Sequence, residues 1–385
     1  MSQTGVFYFD NNATTHVAQE VVDAMLPVLT GCWANPSSPY RIAREAAKHL
    51  GEARDKVAAL VNAGPQEVVF TSCGTESNNA AIHSALTLEP TKRHVVTTAV
   101  EHPSIIKFCE ALEKRGYPVT YLPVGTDGSL DLHLLERAIR PDTAIVSAMW
   151  ANNETGVLFP IAEITAICHS KGVPVHTDAV QAPGKIKIDV KDTRVDFLSL
   201  SAHKLYAPKG IGALYVSHSS RFSPYVIGGH QEQGRRGGTE SIADIVAFGR
   251  AAELAMARLS EVNNRVRALR DRLEGVVLST IAATVRNGAQ EPRLPNTSNV
   301  AFGGLEAEAV LVMLDQVGIC ASSGSACTTG SMAPSHVLTA MGRSTELARG
   351  SVRFSRGTNT TDDEVDYLLL HLPGIIAELR AIQVR

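Results

Sequence analysis

The chain has 385 residues, enough for two or three domains, with 44% hydrophobic and 19% charged residues, a balance that excludes a disordered chain. Thirty-six basic against 39 acidic side chains leave a formal net charge of -3, which gives neither nucleic acid nor an anionic membrane surface a field to bind. No apolar run approaches the roughly 18 residues that span a bilayer, and Met1–Gly5 lacks the basic-then-apolar pattern of a signal peptide. The six cysteines (Cys32, Cys73, Cys109, Cys168, Cys320, Cys327) form no C-x-x-C pair, so the expectation is a reducing cytoplasm, without a disulfide framework or a zinc site.

Val6-Phe7-Tyr8-Phe9 starts a short strand that breaks into the polar run Asp10-Asn11-Asn12-Ala13-Thr14-Thr15. Helical periodicity follows from about Ala18 to Leu29, then a loop with Asn35-Pro36-Ser37-Ser38-Pro39, then an amphipathic helix from Ile42 to Val61. From there strands alternate with helices. Strands are expected at 67–70, 94–99, 119–122, 144–149 and 173–177, and helices at 76–86, 104–115, 130–139 and 161–171. The alternation predicts an α/β fold whose mainly parallel sheet is covered by helices on both faces. A Gly-rich stretch, Gly228 to Gly238, leads into a long helical region from about Ile242 to Val277. The expected organisation is an N-terminal segment (1–15) packed with a small domain, a large domain (16–259) and a small α+β C-terminal domain (260–385).

Ligands of such sheets bind beyond the carboxyl ends of the strands, so residues just after each strand carry the functional information. After Val68-Val69-Phe70 comes Thr71-Ser72-Cys73-Gly74-Thr75-Glu76-Ser77, a small-residue turn into a helix. Its backbone N–H groups suit a phosphate, although an ordinary capped turn reads the same way. His102, in Glu101-His102-Pro103, suits stacking on a flat ring or moving protons, or is a structural histidine. Asn152-Asn153 offers amides to a ring hydroxyl or builds a turn. Asp178, ending His176-Thr177-Asp178, suits a pyridinium nitrogen or caps the next helix. The buried strand from Val195 to Leu200 runs into Ser201-Ala202-His203-Lys204. A lysine there either reaches solvent or is held as a Schiff base with a carbonyl cofactor. Jointly these motifs fit the fold of pyridoxal-phosphate-dependent transferases of the aspartate-aminotransferase type (fold type I), with a sheet of the seven-stranded type.

With these residues assembled, the chain resembles the NifS-type cysteine desulfurases, group I of the class V aminotransferase family, along essentially its full length. The matching stretches include Phe9-Asp10-Asn11-Asn12-Ala13-Thr14-Thr15, Met149-Trp150-Ala151-Asn152-Asn153-Glu154-Thr155-Gly156, His176-Thr177-Asp178-Ala179-Val180-Gln181 and Ala202-His203-Lys204. Gly228-Gly229-His230-Gln231-Glu232-Gln233-Gly234-Arg235-Arg236 and Ser322-Ser323-Gly324-Ser325-Ala326-Cys327-Thr328 complete them, the last being the most specific. The resemblance implies pyridoxal 5'-phosphate as cofactor and Lys204 as the Schiff-base lysine that shuttles a proton at the substrate α-carbon. It implies His102 as the ring-stacking histidine, Asp178 as the pyridinium partner, and Asn153 and Gln181 as amides near the ring hydroxyl. Gly74, Thr75, Ser201 and His203 match the phosphate cradle. Thr239 matches a phosphate contact given by the neighbouring subunit, hence a homodimer. Arg353 matches the arginine that holds the substrate carboxylate in a bidentate fork.

The implied activity removes sulfur from L-cysteine, leaving L-alanine and a persulfide on Cys327. Cys327 sits in a run of small residues that cannot pack a core, so a mobile surface loop is expected. Cys320 reads as a buried strand residue; Cys32, Cys109 and Cys168 read as structural, and Cys73 lies beside the phosphate turn without an obvious direction. The implied sulfur acceptor is an iron-sulfur scaffold protein, with Cys327 as a transient iron ligand. The nitrogenase-directed and housekeeping versions share this chemistry. The alternatives are a selenocysteine lyase or aminotransferase of the same fold, which the cysteine loop disfavours, and a silent sulfur-relay subunit, which Lys204, Asp178 and Cys327 together disfavour.

Overall fold

The computed structural model describes residues 5–323 and 333–383. Its strands are β1 (Phe7–Tyr8), β2 (Val68–Thr71), β3 (His94–Thr98), β4 (Val119–Leu122), β5 (Thr143–Ser147), β6 (Val175–Asp178), β7 (Phe197–Ser201), β8 (Gly212–Val216), β9 (Thr284–Arg286), β10 (Thr297–Phe302), β11 (Ile319–Cys320) and β12 (Ser351–Ser355). Seven of them form one sheet in the order β2-β8-β7-β6-β5-β3-β4. All neighbours pair in parallel except β8, which runs antiparallel to both β2 and β7. The expected α/β class and mainly parallel sheet are thus borne out. The exception has a plain cause: the 202–211 connection is shorter than the dozen or so residues a parallel crossover needs.

Every residue of β2, β3, β5, β6, β7 and β8 is buried, as a sheet covered on both faces requires. Alternate side chains feed different cores. Val68, Phe70, Leu198 and Leu200 pack with Val57 and Phe248 on one face. Val69, Phe197 and Leu214 pack with Ala81, Ile82 and Ile105 on the other. The first face is covered by α1 (Gln19–Gly31), α2 (Arg41–Leu60) and the Ile242–Glu261 helix. The second is covered by α3 (Gly74–Leu88) and α4 (Pro103–Glu113).

A separate core gathers Phe9, Val300, Phe302, Leu314, Ile319, Val352, Phe354, Leu368 and Leu372 around the antiparallel β9-β10-β12 sheet. The chain's start belongs here. β1 pairs in parallel with β11, Phe7 opposite Ile319, and Asp10 bridges Ser355. The expected long helical region is interrupted by a π turn, Val262–Val266, between Ile242–Glu261 and Arg267–Thr280. There the Asn263 amide donates to the carbonyls of Leu259 and Lys185, at 3.0 and 3.1 Å, which periodicity alone does not reveal. Among the described residues no helix is long and apolar enough to cross a membrane.

Candidate active site

A cleft with an empty volume of about 910 Å³ opens where the strand ends of the large sheet meet the N-terminal segment and β12. Gly74, Thr75, His102, Asn153, Asp178, Gln181, Ser201, His203, Lys204 and Arg353 all line it. Thr239 does not line this cleft; it is exposed at the surface. Cys327 lies outside the described residues.

The turn after β2 leaves a helix end open. Cys73 is the N-cap of α3 but makes no side-chain cap, so the first-turn N–H groups and the positive helix end remain for a ligand. Glu76 is turned away: it accepts from the Ser72 N–H at 2.8 Å and from Arg236 Nε at 2.9 Å. A Cβ on Gly74 would meet Val180 Cγ2 at 2.7 Å, so only glycine fits there without displacing the cleft wall. Cys73, without direction in the sequence, also lines the cleft.

Four side chains from three turns are linked. Asp178 Oδ2 accepts from Asn78 Nδ2 at 2.7 Å, and Oδ1 from the Val180 N–H at 3.0 Å. The same Asn78 amide donates to Ser104 Oγ at 2.8 Å, and Ser104 Oγ lies 2.8 Å from His102 Nδ1. His102 is the N-cap of α4, and its Nδ1 also accepts the Ser104 N–H at 3.2 Å. With Nδ1 accepting, the neutral ring carries its proton on Nε2. Burial holds its pKa below 6.5, Asp178 opposing and Lys204 reinforcing. Behind it, Glu101 Oε1 accepts from Thr98 Oγ1 at 2.7 Å and the Met149 N–H at 2.9 Å. Burial raises the Glu101 pKa to about 8.

Of the two adjacent amides, Asn152 builds the turn, its Oδ1 accepting the N–H groups of Glu154 and Thr155 at 2.9 Å each. Asn153 is the one at the cleft. Lys204 sits in a single 3-10 turn after β7, half-buried, and its amine donates to the carbonyls of Asn12 at 2.5 Å and Ala13 at 2.7 Å. His203 Nδ1 lies 3.1 Å from Thr14 Oγ1; burial, then Lys204, push its pKa down to about 4. Gln181 Nε2 donates to the Asn12 carbonyl at 2.9 Å.

Arg353 is held from the chain's start: Nη2 donates to Asp10 Oδ1 at 2.6 Å and Nη1 to the Asn153 carbonyl at 3.0 Å. Its Nε is buried with no partner among the described residues. The described residues flanking Cys327 reach the same region. The Ser322 N–H donates to the Arg353 carbonyl at 3.2 Å, and Ser335 Oγ to Glu154 Oε2 at 2.6 Å. Cys32, Cys109 and Cys168 are buried, and burial drives the last two to about 12. Cys320 corrects its reading in part: it is in β11, but half-buried rather than buried.

Sequence reasoning passed over Asp10, Asn12, Asn78 and Ser104. Asp10 and Asn12 lay inside a quoted motif without a role. Asn78 and Ser104 sit one helical turn or less past their strand-end turns, inside α3 and α4, where local pattern marks neither.

Pyridoxal 5'-phosphate suits this donor set. The uncapped start of α3 and the Gly74 approach offer a phosphate cradle, Asp178 offers a fixed carboxylate to a pyridinium, and Lys204 offers an amine to an aldehyde.

The model of the aminotransferase class-V family matches residues 7–368. "Cysteine desulfurase 2" of Trichormus variabilis is 52% identical over 377 residues, covering 98% of this chain and 94% of its own. "Cysteine desulfurase NifS" of Azotobacter vinelandii is 48% identical over 376 residues, covering 97% and 94%. A solved "NIFS-LIKE PROTEIN" superposes with a TM-score of 0.91 at 36% identity, over 97% of this chain and 100% of its own. "SspA in complex with cysteine" does so with 0.81 at 37%, over 90% and 98%. The extent of these matches, on the fold and cleft described, makes the chain a member of the class-V aminotransferase family, whose cofactor is pyridoxal 5'-phosphate.

Proposed function

We propose that this chain is a cysteine desulfurase that converts L-cysteine to L-alanine and takes up the sulfur as a persulfide on Cys327. The observation that carries the reading is the common cleft of Lys204 and Arg353, an amine from the turn after β7 and a buried guanidinium from β12. Relatives named cysteine desulfurase support it at about half identity.

Arg353 receives the substrate carboxylate, its Nε being a buried donor without a partner among the described residues. Asp178, fixed by Asn78 and the Val180 N–H, keeps a pyridinium nitrogen protonated. His102, neutral and clamped by Ser104, offers a flat face. Gly74, Thr75, Ser201 and His203 hold the phosphate, and Asn153 and Gln181 the side of the ring hydroxyl. Bound there, the cofactor supplies a sink for the electron pair left at the substrate α-carbon. Lys204 removes the α-proton and returns protons to the product. The Cys327 thiolate attacks the substrate sulfur: the S–S bond forms, the Cβ–S bond breaks with its pair going to carbon, and protonation there gives the methyl group of alanine.

The reading extends to a homodimer in which Thr239 reaches the neighbouring subunit's phosphate. It includes an iron-sulfur scaffold as sulfur acceptor in the cytoplasm, with supply to nitrogenase clusters as the favoured destination and transient iron ligation by Cys327. It also keeps the division into 1–15, 16–259 and 260–385, with the Cys327 segment in the last.

The test adds L-cysteine and a thiol reductant to purified protein and quantifies alanine and sulfide together. Equal amounts of both, lost in Cys327→Ala and in Lys204→Ala, are expected. Alanine formation that persists in Cys327→Ala without sulfide loss removes the thiol from the reaction. Amino-group transfer to a keto acid in place of alanine release makes the chain an aminotransferase.

A further inference from the structure

Lys185 lies four residues beyond Gln181, and its side chain is buried. Its amine donates to Gln181 Oε1 at 2.7 Å and to Asn12 Oδ1 at 3.5 Å, and among the described residues it forms no ion pair. An ammonium so placed is costly unless its hydrogen bonds offset the loss of water. Burial, then Lys204 and Arg353, push its pKa well below the ordinary 10.5. The charged or titratable groups facing it are Lys204 and His203 from the turn after β7 and Arg353 from β12.

Here the lysine amine donates to the amide oxygen of Gln181. That contact turns Nε2 to the other side, where it donates to the Asn12 carbonyl at 2.9 Å. That same carbonyl takes the Lys204 amine. Gln181 lines the cleft, and with its oxygen taken by Lys185 the amide nitrogen is the group left to serve a ligand there. The seat of Lys185 is itself fixed. Its carbonyl accepts the Asn263 amide at the π turn, at 3.1 Å. Gly184 before it holds φ +71°, and a Cβ there would lie 3.0 Å from Leu205 and 3.1 Å from Ala255.

We infer that Lys185 is a positioning residue: it locks the Gln181 amide as a hydrogen-bond donor toward the ring oxygen of the cofactor and, through Asn12, steadies the amine of Lys204. A donor there favours the ionised ring oxygen; a flipped amide would present a carbonyl and disfavour it. The inference rests on the reading of Lys204 and Gln181 as cofactor-binding residues.

The test is a pH titration of the visible absorption of the bound cofactor, without substrate, in the wild-type holoenzyme, K185M, K185Q, Q181A and K185M/Q181A. The expected result is a midpoint about one pH unit higher in K185M with cofactor still bound, and a double variant that matches Q181A. K185Q keeps a donor and lacks the charge, and its midpoint is expected within about 0.3 units of wild type. An unchanged midpoint in K185M overturns the inference, as does a K185Q midpoint shifted as far as that of K185M, which would leave only a charge effect. Should K185M not fold, K185Q decides: a wild-type midpoint supports the inference and the Q181A midpoint overturns it. A wild-type protein with no visible absorption after incubation with pyridoxal 5'-phosphate removes the underlying reading instead, and is distinguishable at sight.

Discussion

On the sheet side of the cleft, Asp178, Asn78, Ser104 and His102 hold one another through a chain of hydrogen bonds that draws on three strand-end turns. On the other side, Arg353 depends on one carboxylate, Asp10, and one carbonyl, that of Asn153. The first wall spreads its constraints over several partners seated on a core packed on both faces. The second concentrates them in one ion pair between the two ends of the chain, and a buried pair that loses one member leaves an uncompensated charge. The sheet wall should therefore govern cofactor chemistry, and the ion-paired wall substrate binding.

The most damaging change to the sheet wall is Lys204→Ala. Alanine release should fall by at least about 10³-fold and the cofactor should become dialysable; retention of both would mean that another amine does this work. Arg353→Leu, on the opposite wall, should lower kcat/KM by about 10²-fold while the absorption of bound cofactor stays that of the wild type. A changed spectrum would show that the two walls are not separable. Asp10→Asn keeps the shape and removes the charge that holds the guanidinium. Steady-state kinetics should give a KM about tenfold higher and a kcat within about twofold. A kcat loss without a KM change would put Asp10 in the reaction itself.

The smallest effect concerns stability. The Glu101 carboxyl has a pKa of about 8 in the fold against an ordinary 4.5, so the native state binds more protons than the unfolded state between those values. Its contribution therefore worsens as pH rises from about 4.5 to about 8. Glu101→Gln, which keeps the oxygen that accepts from Thr98 and Met149, should match the wild type near pH 4.5 and melt a few degrees higher at pH 8. Parallel melting curves across that range would show that the carboxyl is ionised in the fold.

The sheet wall was far more legible in the sequence than the other. Strand ends are announced by an apolar run that stops at a small-residue turn, so Gly74, His102, Asp178 and Lys204 stood out as candidates, each ambiguous alone and informative only together. The antiparallel β8 was not legible, because strand direction depends on connection length and on partners that the pattern does not name. Asp10 escaped because its partner lies at the other end of the chain, and no local periodicity links them. Lys185 and the π turn at Asn263 escaped for a related reason: each is explained by a neighbour in space, not by a neighbour in sequence.

The pairing of β1 with β11, and of Asp10 with Arg353 across 343 residues, has a consequence for the order of events during synthesis. Asp10 leaves the ribosome first and meets its arginine only after that whole length has followed, on the order of 20–70 s later at typical translation rates of about 5–20 residues per second. The sheet and its cradle can close around their own core in the meantime. An emerging chain would thus gain the means to bind its cofactor well before it gains the means to bind its substrate.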